Sequence, residues 1–127
     1  MLSKISVTNR LISTTYSSKS RMQSLTSVAQ HIDRRVKGLL REHDEESLPK
    51  SQRADIRRLR LACNEIKLDV RDYEYAETRT EQLKWRKIAI HNIGVAEHAL
   101  LALGDIFSPA DVAELGAQLG SLAEKLE

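Results

Sequence analysis

The chain has 127 residues, of which 30% are charged and 4% aromatic, with two prolines, five glycines and a single cysteine, Cys63. That length is one domain, the turn-forming residues are too few for an all-β protein, and one thiol excludes an intramolecular disulfide and a multi-cysteine metal site. The net charge of +2 hides an asymmetry: residues 1–60 carry 13 Lys and Arg against 6 Asp and Glu, and the other 67 carry 7 against 12. Opposite charge in two halves points to a partner rather than to a fold.

Residues 1–32 contain no Asp or Glu, twelve Ser or Thr, and the basic residues Lys4, Arg10, Lys19 and Arg21. This is the composition of a mitochondrial transit peptide, and Arg10, Ile12 and Thr15 have the spacing of some matrix-processing sites. A flexible basic arm over residues 1–20 is the preferred reading; the Ser-rich leader of a bacterial secretion substrate stands beside it. Residues 2–12 are no secretory signal, because Lys4, Asn9 and Arg10 break the apolar run.

Residues 21–127 read as one helical domain. In the first segment Met22, Leu25, Ala29, Ile32, Val36 and Leu39 recur at alternating steps of three and four, widened by Val28 and Leu40. This helix should end near His43, where an acidic loop begins. Pro49 lies in that loop, and Ser51 is the expected N-cap of the next helix.

The second segment carries Ile56, Leu59, Cys63, Ile66, Val70 and Tyr73 at the same spacing. Its next seam positions, Glu77, Thr80 and Lys84, are polar, and Thr78-Arg79-Thr80-Glu81 has capping-box form, so a break is expected within residues 76–81. Against it, no Gly or Pro occurs in residues 51–93, which allows one continuous helix of about 80 Å over residues 51–103.

The third segment, residues 81–103, is apolar on two faces. Trp85, Ile88, Val95, Ala99 and Ala102 form one; Ile90, Ile93, Ala96, Leu100 and Leu103 form the other. Such a helix is central or covered by several neighbours. His91, Asn92, Glu97 and His98 interrupt residues 88–107, so nothing here reaches the roughly 20 apolar residues of a membrane span. Gly104 is the expected C-cap residue.

Ser108, Pro109 and Asp111 open a fourth helix as N-cap, first-turn proline and first-turn acid. Val112, Leu115, Leu119, Leu122 and Leu126 make its stripe. Gly116 and Gly120, four apart, suggest tight packing against a neighbour. The stripes predict an all-α antiparallel bundle, three long helices and a shorter C-terminal one, with surface left for coiled-coil-like homo-oligomerisation.

The strongest candidate for chemistry is a basic ladder. Arg34, Lys37 and Arg41 share one face of the first helix, away from its stripe; Arg53, Arg57 and Arg60, with Arg58 beside them, repeat the pattern on the second, and Arg35 adds to the top. A hairpin through residues 44–50 sets Arg41 level with Arg53, Lys37 with Arg57 and Arg34 with Arg60. Eight like charges on adjacent turns repel, so something negative belongs near them: phosphates, an acidic protein, or the chain's own acids, either Asp44, Glu45 and Glu46 of the loop or Glu97, Asp105, Asp111, Glu114, Glu124 and Glu127 of the third and fourth segments. No nucleic-acid-binding motif or interleaved aromatic accompanies the ladder, so nucleic acid would be held by its backbone with little base specificity.

Other signals are weak. His91 and His98 are two helical turns apart, too far to chelate one metal. Cys63 lies on a core stripe, the place of a small apolar residue rather than a nucleophile. No HExxH, P-loop, GxGxxG or GxSxG motif is present. The expectation is a non-catalytic, regulatory or accessory cytoplasmic protein without cofactor, metal or small-molecule substrate. It docks on an acidic protein or nucleic-acid backbone through Arg34, Arg35, Lys37, Arg41, Arg53, Arg57, Arg58 and Arg60. Two alternatives stand beside it: a structural subunit or chaperone-like adaptor that uses apolar stripes, and an imported mitochondrial matrix protein.

Overall fold

The computed structural model describes residues 24–127. The expectations for residues 1–20, and the place of Met22 on the first stripe, lie outside the described residues. Four helices follow one another: α1 (Leu25–Arg41), α2 (Lys50–Tyr75), α3 (Arg79–Ala102) and α4 (Pro109–Leu126), with one 3₁₀ turn, Glu45–Ser47, between α1 and α2. Each packs on its neighbour in the chain, α2 on α3 most extensively, and α1 meets α4 to close the ring. The bundle expected from the stripes therefore forms, with a pair of long helices, of 26 and 24 residues, flanked by two of 17 and 18. Among the described residues no helix is long and apolar enough to cross a membrane.

The break between α2 and α3 falls at residues 76–78. Ala76 turns to an extended conformation, and Thr78 caps α3 by accepting from the Glu81 amide at 3.1 Å. The polar seam positions and the capping box thus outweigh the missing Gly and Pro. A continuous helix would leave the stripes of both halves facing water, whereas folding back buries them on each other.

Helix starts elsewhere show the same logic. Ser108 caps α4 through the Asp111 amide, as its sequence implies. Ser24 caps α1 through the Ser27 amide, and the amides of Leu25 and Thr26 donate to the Glu74 carboxylate at 2.9 and 3.0 Å, joined by the Thr26 hydroxyl. The last turn of α2 thereby satisfies orphan donors of α1 and sets a negative charge at the positive end of its dipole. Two expectations need correction. The N-cap of α2 is Pro49, not Ser51, which lies inside the first turn; extended Leu48–Pro49 delivers the chain into the helix, and Leu48 packs on the core. Gly104 follows α3 without a left-handed φ; turns through Leu103 and Gly104 end the helix instead.

The core comprises Ala29, Ile32, Val36, Leu39 and Leu40 of α1; Ile56, Leu59, Ala62, Cys63, Ile66 and Val70 of α2; Ala89, Ile93, Ala96, Ala99 and Leu100 of α3; and Leu115, Leu119, Leu122 and Leu126 of α4. Each large aliphatic among them contributes about 1.5–3 kcal/mol by leaving water. Of the two apolar faces of α3, the Ile93–Ala96–Leu100 face enters the core. Of the other face Ala99 is buried in the core as well, Trp85, Ile88 and Val95 are half-buried, and Ala102 is exposed. Leu103 and Phe107 seal the end of the bundle, where the Phe107 ring meets His43 of the α1–α2 loop at 5.9 Å between centroids.

The paired glycines of α4 do not mark a tight contact. A methyl group at Gly116 would meet nothing within 4 Å, and at Gly120 only a Glu97 carboxylate oxygen at 4.0 Å. Both lie at the flank of the leucine stripe, beyond reach of α3's backbone. Gly116→Ala should therefore raise stability by about 0.5–1 kcal/mol, the propensity difference alone, measured as an increased midpoint in urea unfolding with an unchanged slope.

Candidate partner-binding face

Helix α1 divides its polar residues among three directions. Arg34 and Arg41 point away from the core, Arg35 leans towards α4, and Asp33 and Lys37 flank the seam with α2. Arg35 bonds Asp111 of α4 at 2.8 Å and lies 3.3 Å from Glu114. It is a clamp across the α1–α4 contact.

The other half of the ladder lies on α2 in a different register from the one the loop length implies. Asp33, expected level with Leu61, bonds Lys67 at 3.1 Å, and Thr26 bonds Glu74. Helix α1 thus sits about six residues further along α2, because the 42–49 loop climbs beside the first turns of α2 through its 3₁₀ turn. Arg60, not Arg53, becomes the neighbour of Arg41: Lys37, Leu40, Arg41 and Arg60 line one open groove between the helices.

The acidic loop meets the ladder there. Arg60 donates to Glu45 at 2.9 Å. That bond holds the Glu45 carboxyl below its ordinary range; desolvation opposes it, and the fields of Arg60, Arg57 and Arg53 add to it. Arg58 turns aside to Asp55 at 2.5 Å, and Lys37 bonds Asp33 at 3.0 Å. Four of the eight cations are thereby matched by the protein's own carboxylates. Arg34, Arg41, Arg53 and Arg57 form no ion pair among the described residues; Arg41 donates only to the Lys37 carbonyl, at 3.4 Å.

Two buried carboxylates escape a reading of the sequence. Asp33, 3% exposed, receives both Lys37 and Lys67 on Oδ2, while Oδ1 has no partner among the described residues. Asp69, 4% exposed, accepts from Asn92 Nδ2 of α3 at 2.7 Å and forms no ion pair among the described residues. Desolvation raises the Asp69 carboxyl above its usual value; the Asn92 bond opposes this, and Glu65 and Asp72 reinforce it. Each carboxylate directly precedes or follows a core residue (Ile32, Val70), a position that period counting assigns to the polar side. Cys63 is buried as expected, and burial pushes its thiol up to about 12, aided by the nearby Asp33 charge and opposed by Lys37.

The sign for Asp69 follows from its raised value. Such a group favours the protonated fold, so its contribution is lost as pH rises through the ordinary carboxylate range to the raised folded value, and stays lost above it. Asp69→Asn should therefore raise the melting temperature at neutral pH. The gain should shrink to nothing below the ordinary carboxylate range, as thermal unfolding followed across pH will test.

Compared with protein-family models, curated protein sequences and solved structures, the chain matches none. The chemistry of this face is therefore the ground on which a function is argued.

Proposed function

We propose that the protein is a non-catalytic binding module that docks on an acidic macromolecule through the outer face of α1 and the first turns of α2. One observation carries this reading: Arg34, Arg41, Arg53 and Arg57 remain without an acidic partner among the described residues, while their neighbours Arg35, Lys37, Arg58 and Arg60 are matched. Unmatched guanidinium groups, of which Arg41 lines the α1–α2 groove, suit carboxylates or phosphates, which they bind in bidentate fashion. Glu45 acts as an internal competitor for the same cations, placed by the loop against Arg60 and within the fields of Arg57 and Arg53.

The test is titration of the full chain with a mixed-sequence nucleic-acid duplex and with a polyglutamate peptide, at low and high salt. Binding to one or both that weakens steeply with salt is expected. Joint reversal of Arg34, Arg41, Arg53 and Arg57 to Glu should abolish it and leave helicity intact, whereas Glu45→Gln should strengthen it by freeing Arg60. Unchanged binding in the fourfold variant overturns the reading. The polyanion that binds decides between a nucleic-acid backbone and an acidic protein.

A second reading, a structural or adaptor subunit that works through apolar contacts, is favoured by Leu61 and Leu101, which are 63% and 72% exposed. Salt separates the two, because apolar docking changes little with ionic strength. The lone buried thiol suits a reducing, cytoplasmic setting. A mitochondrial matrix setting is the alternative, decided by mass spectrometry of the native N-terminus.

A further inference from the structure

Helix α3 has a second seam that its own bundle covers only in part. Leu83, Lys87, Ile90, Gly94, Glu97 and Leu101 recur at steps of four and three, which lines them along one side of a helix. On that side Leu101 is 72% exposed and Leu83 38%, and Lys87 and Gly94 are exposed. Ile90 and Glu97 are half-buried: Ile90 packs in part on the core, and the Glu97 carboxylate reaches towards Gly120 of α4. Ile90, Gly94 and Val95 line an open, mainly apolar groove along it, rimmed by His91, His98 and Arg58.

Two features of the seam lack a purpose within the monomer. Gly94 is a glycine in the middle of a 24-residue helix, an unfavourable choice, and a methyl group there would meet nothing within 4 Å. The fold therefore does not require it. Lys87 and Glu97 form no ion pair among the described residues.

Both features gain one when the seam is set against an antiparallel copy of itself centred on Asn92. Leu83 then faces Leu101 of the copy, Lys87 faces Glu97, and Ile90 faces Gly94, and each pair recurs in reverse. Apolar meets apolar, cation meets anion, and a large side chain meets the notch left by glycine. A surface complementary to itself under a two-fold rotation is what an isologous dimer needs, and the pairing of alternate seam positions is that of antiparallel knobs-into-holes packing. We infer that a second copy of this chain packs antiparallel on the outer face of α3, with Ile90 seated at Gly94 of its partner. This surface is separate from the basic face of α1 and α2 and does not rest on it.

The test is disulfide trapping in the full chain. Leu83 and Leu101 are 18 residues apart, about 27 Å along a helix, so an antiparallel dimer brings position 83 of one copy to position 101 of the other and keeps identical positions apart. The double variant L83C/L101C should form a covalent dimer under mild oxidation. L83C alone and L101C alone should not, and Cys63 is buried and out of reach. Light scattering supplies the second arm. Gly94→Leu should abolish the dimer while helicity is kept, because Gly94 is exposed and a Cβ there meets nothing within 4 Å among the described residues. Lys87→Glu or Glu97→Lys should weaken the dimer several-fold, and the two together should restore it. Absence of cross-linking in the double variant, cross-linking of L83C alone, or an undiminished dimer in Gly94→Leu overturns the inference.

Discussion

The reversal between α2 and α3 is the constraint on which the rest of the bundle depends. Helix α2 carries its apolar residues on one side for most of its length, and α3 answers with Ala89, Ile93, Ala96, Ala99 and Leu100. The small side chains of α3, with Ala62 of α2, allow the two helices to pack over a longer contact than any other pair. Once they lie together they leave one open apolar side, and α1 and α4 are the lids that cover it. The lids are held at their edges by charge: Glu74 caps α1 from the end of α2, and Arg35 ties α1 to α4. These contacts fix register rather than supply most of the stability, which comes from the leucine and isoleucine layers between them.

Charge in this protein has been sorted rather than merely displayed. Acids drawn from the α1–α2 loop, from α4 and from within the helices meet half of the basic ladder, but only Arg35, through Asp111 and Glu114, joins the basic end of the chain to the acidic one. What survives is a smaller feature, four arginines without an ion pair among the described residues, one of which, Arg41, lines the α1–α2 groove. Arg60 shows why counting charges along a helix overstates the free field: it belongs to the ladder by spacing and to Glu45 by contact. The two buried aspartates make the complementary point. Asp33 is held by two lysines, which offsets its desolvation; Asp69 has only an amide donor, and its environment resists ionisation.

The third helix has two apolar sides. It has an inner seam that the bundle consumes and an outer seam, Leu83 to Leu101, that the bundle covers only at Ile90 and Glu97. The residues least explained by the monomer, a mid-helix glycine with space around it and a highly exposed leucine, lie on that outer seam. Two surfaces of different chemistry thus occupy separate helices, one charged and one apolar.

Much of the architecture was legible in the sequence. The alternating steps of three and four placed all four stripes, because burial on one side of an α-helix leaves that period directly in the residues. Ser108 and Thr78 announced their helices, because a capping side chain acts on amides only three residues away. The basic ladder was legible as a set of residues and not as a site. Its register, its matched and unmatched members, and the buried Asp33 and Asp69 depend on groups distant in the chain, which periodicity does not encode. Ser51 and Gly104 were misread because local propensity yielded to the path of the chain into and out of the core. The choice between one long helix and two belonged to the tertiary structure as well: residues 76–78 can continue a helix or end one at similar local cost. What settles the matter is the apolar surface buried when α3 folds back on α2, a gain that exists only once both helices are present.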